Sequence, residues 1–242
     1  MNILLVNDDG IESPGMRLLA ETMRDMGTIY IVAPHTQQSA IGHGITIHEP
    51  FRVHIRKELF EGIDAWSLEA KPADCVKFAL YGLGLSIDLV VSGINDGPNV
   101  GTDIIYSGTL AGASEGIICG IPAIAVSSDF SGLDSARPHL KEILTRVMEA
   151  DVVDKGRVIN INFPQKEYRE IKGIKITGMG ERPFSHEFVE EEGLVWAKGS
   201  WDRVNNGPET DVWAWENGYV SVSPIQINRT DYGYMDILRE RL

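Results

Sequence analysis

Asn2-Ile3-Leu4-Leu5-Val6-Asn7-Asp8-Asp9-Gly10 sets a short apolar run directly against two adjacent carboxylates. Ile3 to Val6 is β-branched at its ends and too brief for a helix, which is how a strand buried on both faces reads. Ser13-Pro14-Gly15 follows: Ser13 suits a helix N-cap and Pro14 the first helical position, with Leu19, Met23 and Met26 on one side behind them. Asp8 and Asp9 therefore fall in a strand-to-helix loop at the carboxyl end of a central strand, where open α/β sheets bind their ligands. Carboxylates this close repel each other unless a cation, a shared proton or basic groups compensate. A solvated acidic turn is the alternative that these two residues leave open.

Outward from this stretch, strand and helix patterns alternate. Thr28–Ala33 reads as a second strand stopped by Pro34, and Pro34–Gly44 is a polar, aperiodic loop. Residues 45–68 are β-rich, with Ile45, Ile47, Val53, Ile55 and Ile63 in two-residue alternation, and a hairpin or small side sheet fits them. Lys71-Pro72-Ala73-Asp74 opens a helix, and Asp88–Ile94 is another buried strand. The loop after it, Gly93 to Gly101, holds four helix-breaking residues in nine positions. A helix rich in small residues begins near Ser107. A strand at Pro122–Ser127 comes next, then an amphipathic helix over Ser135–Ala150 and a strand at Arg157–Phe163 that closes the sheet.

This alternation predicts an α/β fold: a Rossmann-like, doubly wound, mainly parallel sheet in three layers. The expected division is a catalytic core over 1–164 and a β-rich C-terminal extension over 165–242. The extension carries a hairpin turning at Glu192-Gly193, a strand at Tyr219–Ser223 and a terminal helix. Three of the five tryptophans lie beyond residue 200. Trp213 and Trp215 suit either a stacked base or a subunit interface.

At 242 residues and 43% apolar content the chain can bury a substantial core. A net charge of −13 argues against binding to nucleic acid polymers or anionic membranes, but not against a small anion beside a metal ion. No apolar run reaches the length of a membrane span. The first strand starts at residue 2 without the basic and small-residue segments of a signal peptide, so a cytoplasmic location is expected. Cys75 and Cys119, far apart and each in a helix-like segment, are expected to be buried free thiols.

Three loops converge at the carboxyl edge of the sheet: Asp8-Asp9, Pro34–Gly44, and Gly93–Gly101 leading to Ser107-Gly108-Thr109. Their carboxylates, amide and hydroxyls are the donors that suit Mg²⁺ or Mn²⁺, not zinc or copper. The helix start near Ser107 adds free backbone N–H groups and a dipole, an anion site. A metal beside a phosphate cradle points to phosphoryl chemistry. The chain contains no G-x-G-x-x-G after its first strand, no G-x-x-x-x-G-K-[ST] and no G-x-S-x-G, which argues against dinucleotide-binding, P-loop and serine-hydrolase classes. A signalling receiver domain also places paired acids after its first strand. Its phosphoacceptor and lysine positions are here Asn95-Asp96 and Ser127-Ser128-Asp129, with no lysine.

Asn7-Asp8-Asp9-Gly10, Ala33-Pro34 through Gln38-Ser39, Ser92-Gly93-Ile94-Asn95-x-Gly97-x-Asn99, Tyr106-Ser107-Gly108-Thr109, Pro72-Ala73-Asp74 and Asn160-x-Asn162-x-Pro164 together resemble the SurE family of phosphatases. The resemblance implies a 5′-nucleotidase acting on nucleoside monophosphates, with 3′-nucleotides and short polyphosphate as further candidate substrates. It implies one divalent cation per subunit, Mg²⁺ or Mn²⁺, and a homodimer or homotetramer exchanging C-terminal segments. Matched motif to motif, Asp8, Asp9, Ser39 and Asn95 become metal ligands, with Asp8, Asp9 and Asn95 catalytic. Ser107, Gly108 and Thr109 become the phosphate cradle. Asn99 reads either as a turn former or as a contact behind the metal or to the phosphate. His43 reads either as a proton donor to the leaving oxygen or as a hydrogen-bonded surface histidine. Glu181 to His186 is left unplaced by these motifs.

Overall fold

The computed structural model describes residues 1–130, 133–168 and 170–242. Its frame is one nine-stranded sheet, and the order of strands in it explains where the site must lie. Strands β1 (Asn2–Val6), β2 (Thr28–Pro34), β4 (Asp64–Leu68), β5 (Leu89–Asp96), β6 (Ala123–Ser128) and β7 (Arg157–Asn162) run parallel, ordered β4-β2-β1-β5-β6-β7. Counted as parallel strands this is 3-2-1-4-5-6, the doubly wound order. The chain moves one way from β1 through β2 to β4, then crosses back to β5 on the other side. The reversal leaves a crevice at the carboxyl ends of β1 and β5.

Alternation along β1 assigns the two faces. Ile3 and Leu5 pack with Met16, Leu19 and Met23 of α1 (Pro14–Met23) and with Ile143 and Leu144 of the later helix Leu140–Glu149. Leu4 and Val6 point the other way, toward Cys75 and Val76 of α2 (Pro72–Lys77) and Leu110 and Ala113 of the helix Gly108–Ile118. A short turn of helix, α3 (Asp103–Tyr106), precedes the last of these, so the two long ones are α4 (Gly108–Ile118) and α5 (Leu140–Glu149). At the start of α1 the sequence expectation holds in detail. Ser13 caps it by accepting from the Met16 N–H, Pro14 opens it, and the Asn7 amide donates to both Gly10 O and Ser13 Oγ.

Three expectations need correction. Of the two readings of 45–68 the hairpin holds, since β3 (Val53–Ile55) pairs antiparallel with β4, and the small side sheet does not, since β4 joins the main sheet beside β2. Nor does Arg157–Phe163 close the sheet. Val158 to Asn162 are buried on both faces, and such a strand needs a neighbour on each edge. The neighbour is β11 (Val220–Gln226), antiparallel to β7, with β8 (Ile174–Ile176) beyond it. Cys119 is only partly buried, because it lies at the exposed end of α4, whereas Cys75 is buried; both are free thiols.

The remaining elements are not strands of this sheet. Strands β9 (Phe184–Glu191) and β10 (Leu194–Trp201) form the expected hairpin around Glu192-Gly193. Helix α6 (Asp211–Glu216) buries Val212 and Trp215 against Val100. Helix α7 (Tyr232–Arg241) buries no residue. No helix among the described residues is long and apolar enough to cross a membrane.

Candidate active site

The crevice at β1 and β5 opens into a cavity of about 650 Å³, lined among others by Asp8, Asp9, Ser39, Asn95, Asn99 and Ser107. They reach it from four segments of the chain. Asp8 and Asp9 extend from β1; Asn95 follows the buried part of β5; Ser39 stands on the loop after β2; Ser107 precedes α4. That loop is tied down where the Gln38 N–H donates to the Asp8 carbonyl at 2.7 Å.

Asp8 is almost fully buried, with its Oδ1 accepting from the Thr109 hydroxyl at 2.7 Å. Burial pushes its carboxyl up to about 7, the Thr109 hydroxyl works against that, and the charge on Asp9 adds to it. Asp9 is also raised, first by burial and then by Asp96, against the Asp96 N–H that reaches its Oδ2 at 2.9 Å. Gln37 Nε2 donates to its other oxygen at 3.1 Å. Among the described residues neither carboxylate pairs with a lysine, arginine or histidine. Two acids that burial disfavours and that have no basic partner fit a bound cation. Asn95 donates its Nδ2 to Gly97 O at 2.7 Å, which leaves its amide oxygen as an acceptor. No three His, Cys, Asp or Glu side chains gather into a cage among the described residues, so a cation here would also need Ser39 and Asn95.

Thr109 and Gly108 take places that sequence reading did not foresee. Thr109 is fully buried, and its hydroxyl and backbone N–H both serve the Asp8 carboxylate. A Cβ on Gly108 would stand 2.7 Å from Asp8 Cβ, so this glycine lets α4 start against Asp8. Neither residue lines the cavity, whereas Ser107 does. The Ser107 oxygen caps α4 by accepting from the Leu110 N–H at 3.0 Å. Its hydroxyl hydrogen stays free to donate.

Asn99 supports this arrangement from below. Its Nδ2 donates to Ser127 Oγ at 2.8 Å and Thr109 Oγ1 at 3.3 Å. Its backbone N–H donates to Asn162 Oδ1 at 2.7 Å, while its carbonyl accepts from Asn160 and Asn162. The Asn160-x-Asn162 motif thus fixes Asn99, which holds Thr109, which holds Asp8. His43 lies outside the cavity, where it pairs with the buried Glu115 at 2.7 Å, and Lys77 approaches the same carboxylate at 3.2 Å.

The other wall of the cavity comes from residues that the sequence reading left unassigned. Phe130, Asp103, Arg182, Phe184 and Trp201 all line it. Trp213 and Trp215 do not; Trp213 stacks on Tyr219 and Trp215 is buried. One signal was present: counting outward from a Glu192-Gly193 turn pairs Phe184 with Trp201, as the hairpin register has it.

The family model described as "Survival protein SurE" matches residues 3–186. The chain is similar to a protein of Pelotomaculum thermopropionicum named 5′-nucleotidase SurE, at 41% identity over 100% of this chain and 95% of that one. It is similar to one of the same name from Alkaliphilus metalliredigens, at 38% over 96% and 95%. Among solved structures it is similar to the SurE protein from Aquifex aeolicus. The TM-score is 0.84 and the identity 33%, covering 100% of this chain and 99% of that one.

Proposed function

This chain belongs to the SurE family, and on that premise we propose that it hydrolyses nucleoside 5′-monophosphates to nucleoside and phosphate with the help of a divalent cation. It is an enzyme of the 5′-nucleotidase class. The observation that carries the metal dependence is the pair Asp8 and Asp9, raised by burial and without a basic partner among the described residues.

Asp8, Asp9, Asn95 and Ser39 would hold the cation, all through oxygen, the donor type that Mg²⁺ and Mn²⁺ prefer. When bound, the cation supplies charge neutralisation at a phosphate oxygen and a more acidic water. The chain's own residues supply rigidity. Thr109 fixes Asp8, while the Asp96 N–H and Gln37 fix Asp9, so neither carboxylate has to reorganise as charge develops. The Ser107 hydroxyl and the Gly108 N–H would take the remaining phosphate oxygens, helped by the helix dipole, since the Thr109 and Leu110 N–H groups are held by Asp8 and Ser107. Thr109, matched to this cradle in sequence, stands outside the cavity lining, and its hydroxyl would act through Asp8. The cavity volume of about 650 Å³ accommodates a nucleotide-sized ligand. 3′-Nucleotides and short polyphosphate share the phosphate ester or anhydride that this end of the cavity would grip, and are proposed as slower substrates. A homodimer or homotetramer built on the C-terminal extension is also proposed, supported by the unburied helix α7.

Phosphate release from adenosine 5′-monophosphate tests the reading. Exhaustive chelation should abolish it and Mg²⁺ or Mn²⁺ should restore it, with Asp9→Asn losing most turnover at saturating metal. Full activity after chelation would sink the metal dependence.

A further inference from the structure

Trp201 is nearly half exposed, at 46%, and Phe130 at 42%, so neither belongs to a core; yet both line the cavity that Asp8 and Asp9 share. Large aromatic faces left open inside a cavity mark a ligand surface. Phe184 joins them. As the closing cross-strand pair of the hairpin, Phe184 and Trp201 meet at 5.2 Å between ring centroids, edge to face, and Phe130 stands 6.0 Å from Trp201.

What distinguishes Trp201 is how firmly it is held. The Arg182 guanidinium lies over it at 4.3 Å and over the buried Trp215 at 5.0 Å, making a stack anchored in the interior. Arg182 also pairs with Asp103, and the Trp201 indole N–H donates to the same carboxylate. Ring plane and ring edge are therefore both fixed before any ligand arrives. The end of β10 is shaped for this contact: a Cβ on Gly199 would meet the Phe184 ring at 2.6 Å.

We infer that Trp201, seated on Arg182 and pinned through Asp103, is the stacking platform for the nucleobase of the substrate, with Phe130 and Phe184 as its aromatic flanks. The inference rests on the nucleotidase reading of the same cavity. Stacking is tolerant of base identity, because every base has a π-face, and it favours the larger purines. The platform thus selects nucleotides over simple sugar phosphates, with a purine preference.

The test compares adenosine 5′-monophosphate with ribose 5-phosphate, which lacks only the base, in the full-length protein with Mn²⁺. Trp201→Leu keeps apolar volume at the end of the strand but removes the aromatic face, and Trp201→Phe restores a smaller one. The ratio of kcat/KM for the nucleotide to that for the sugar phosphate should fall about tenfold to a hundredfold in Trp201→Leu, mainly through KM, and recover in Trp201→Phe. An unchanged ratio, or a Phe variant no better than Leu, overturns the platform. In the unaltered protein adenosine should compete at least about tenfold better than ribose, a result that needs no variant to fold; equal competition overturns it as well. If the unaltered protein hydrolyses neither substrate, the nucleotidase reading has failed. Equilibrium dialysis of adenosine 5′-monophosphate then decides the platform alone: weaker binding in Leu with rescue in Phe upholds it, and equal binding in all three proteins overturns it.

Discussion

Thr109 Oγ1 donates to Asp8 Oδ1 at 2.7 Å, joining the first turn of α4 to the end of β1 across 101 positions of sequence. This bond assigns the threonine to the carboxylate and through it to the proposed cation. Thr109→Val keeps the shape but removes the donor, and a lost hydrogen bond to a charged group costs about 1.5–3 kcal/mol. Mn²⁺ affinity measured by calorimetry should fall roughly tenfold to a hundredfold, and Thr109→Ser should recover most of it. Unaltered Mn²⁺ affinity in the valine variant would detach Thr109 from the metal half of the site.

Gly108 answers to the same carboxylate. Gly108→Ala places a methyl 2.7 Å from Asp8 Cβ, against backbone-anchored atoms that cannot swing away. The expected result is a folded protein with weakened Mn²⁺ binding, and inorganic phosphate bound less tightly as a consequence of the displaced helix start. If phosphate affinity alone fell, the glycine would belong to the phosphate site directly.

Burial of Asp8 also makes a prediction about pH. Its carboxyl is raised from 3.8 to about 7, so between these values the folded protein binds more protons than the unfolded chain. Stability of the metal-free protein therefore falls as pH rises through that window, by an amount on the order of 2–4 kcal/mol. Asp9, raised in the same direction, adds to the trend. Thermal melts in chelator from pH 5 to 8 should show the decline, and Asp8→Asn should flatten it while melting higher at pH 8. A melting temperature independent of pH in the unaltered protein would mean that Asp8 is not destabilised by burial.

The parallel sheet and the convergence of its loops were legible because each depends on local pattern: Ile3–Val6 as a buried run, Ser13-Pro14 as a helix start, Gly93–Gly101 as a loop. That Asp8, Asp9 and Asn95 would share one cavity was legible for the same reason, since a strand end is where such loops deliver donors. The contacts of Thr109 and Gly108 with Asp8 were not legible. A hydroxyl and a glycine at a helix start suit a phosphate or a neighbouring carboxylate equally well, and the contacts depend on how α4 packs against β1. The place of β11 in the sheet was hidden too, because antiparallel pairing with β7 joins segments more than fifty residues apart, with nothing local to announce it. Arg182 and Trp201 depend on the hairpin register, which becomes useful only once the cavity they face is known.

His43 supplies a test by contrast. Burial alone would push Glu115 up, but His43 and Lys77 outweigh it and hold that carboxyl below its ordinary value. The pair joins the loop that carries Ser39 to α4, and neither residue lines the cavity. His43→Ala should therefore lower the melting temperature by a few degrees and raise the metal requirement modestly, with kcat at saturating metal changed by no more than about threefold. A hundredfold loss of kcat would make the imidazole a proton donor after all.

The last prediction concerns the C-terminal extension, where two truncations separate fold from assembly. Stopping before Trp201 removes β11 and so strips the buried strand β7 of its neighbour, leaving an open apolar edge; this chain should aggregate. Stopping after Asn228 removes α7, which buries nothing in the single chain and presents Tyr232, Tyr234, Ile237 and Leu238 outward. A helix with that much unburied apolar surface gains stability by packing on a second copy. The shorter deletion should thus melt within a few degrees of the full chain when both are compared as monomers, yet sediment as a smaller species. If the full chain and the Asn228 truncation share one sedimentation coefficient per unit mass, α7 has no part in assembly, and the oligomer would have to be sought on the hairpin.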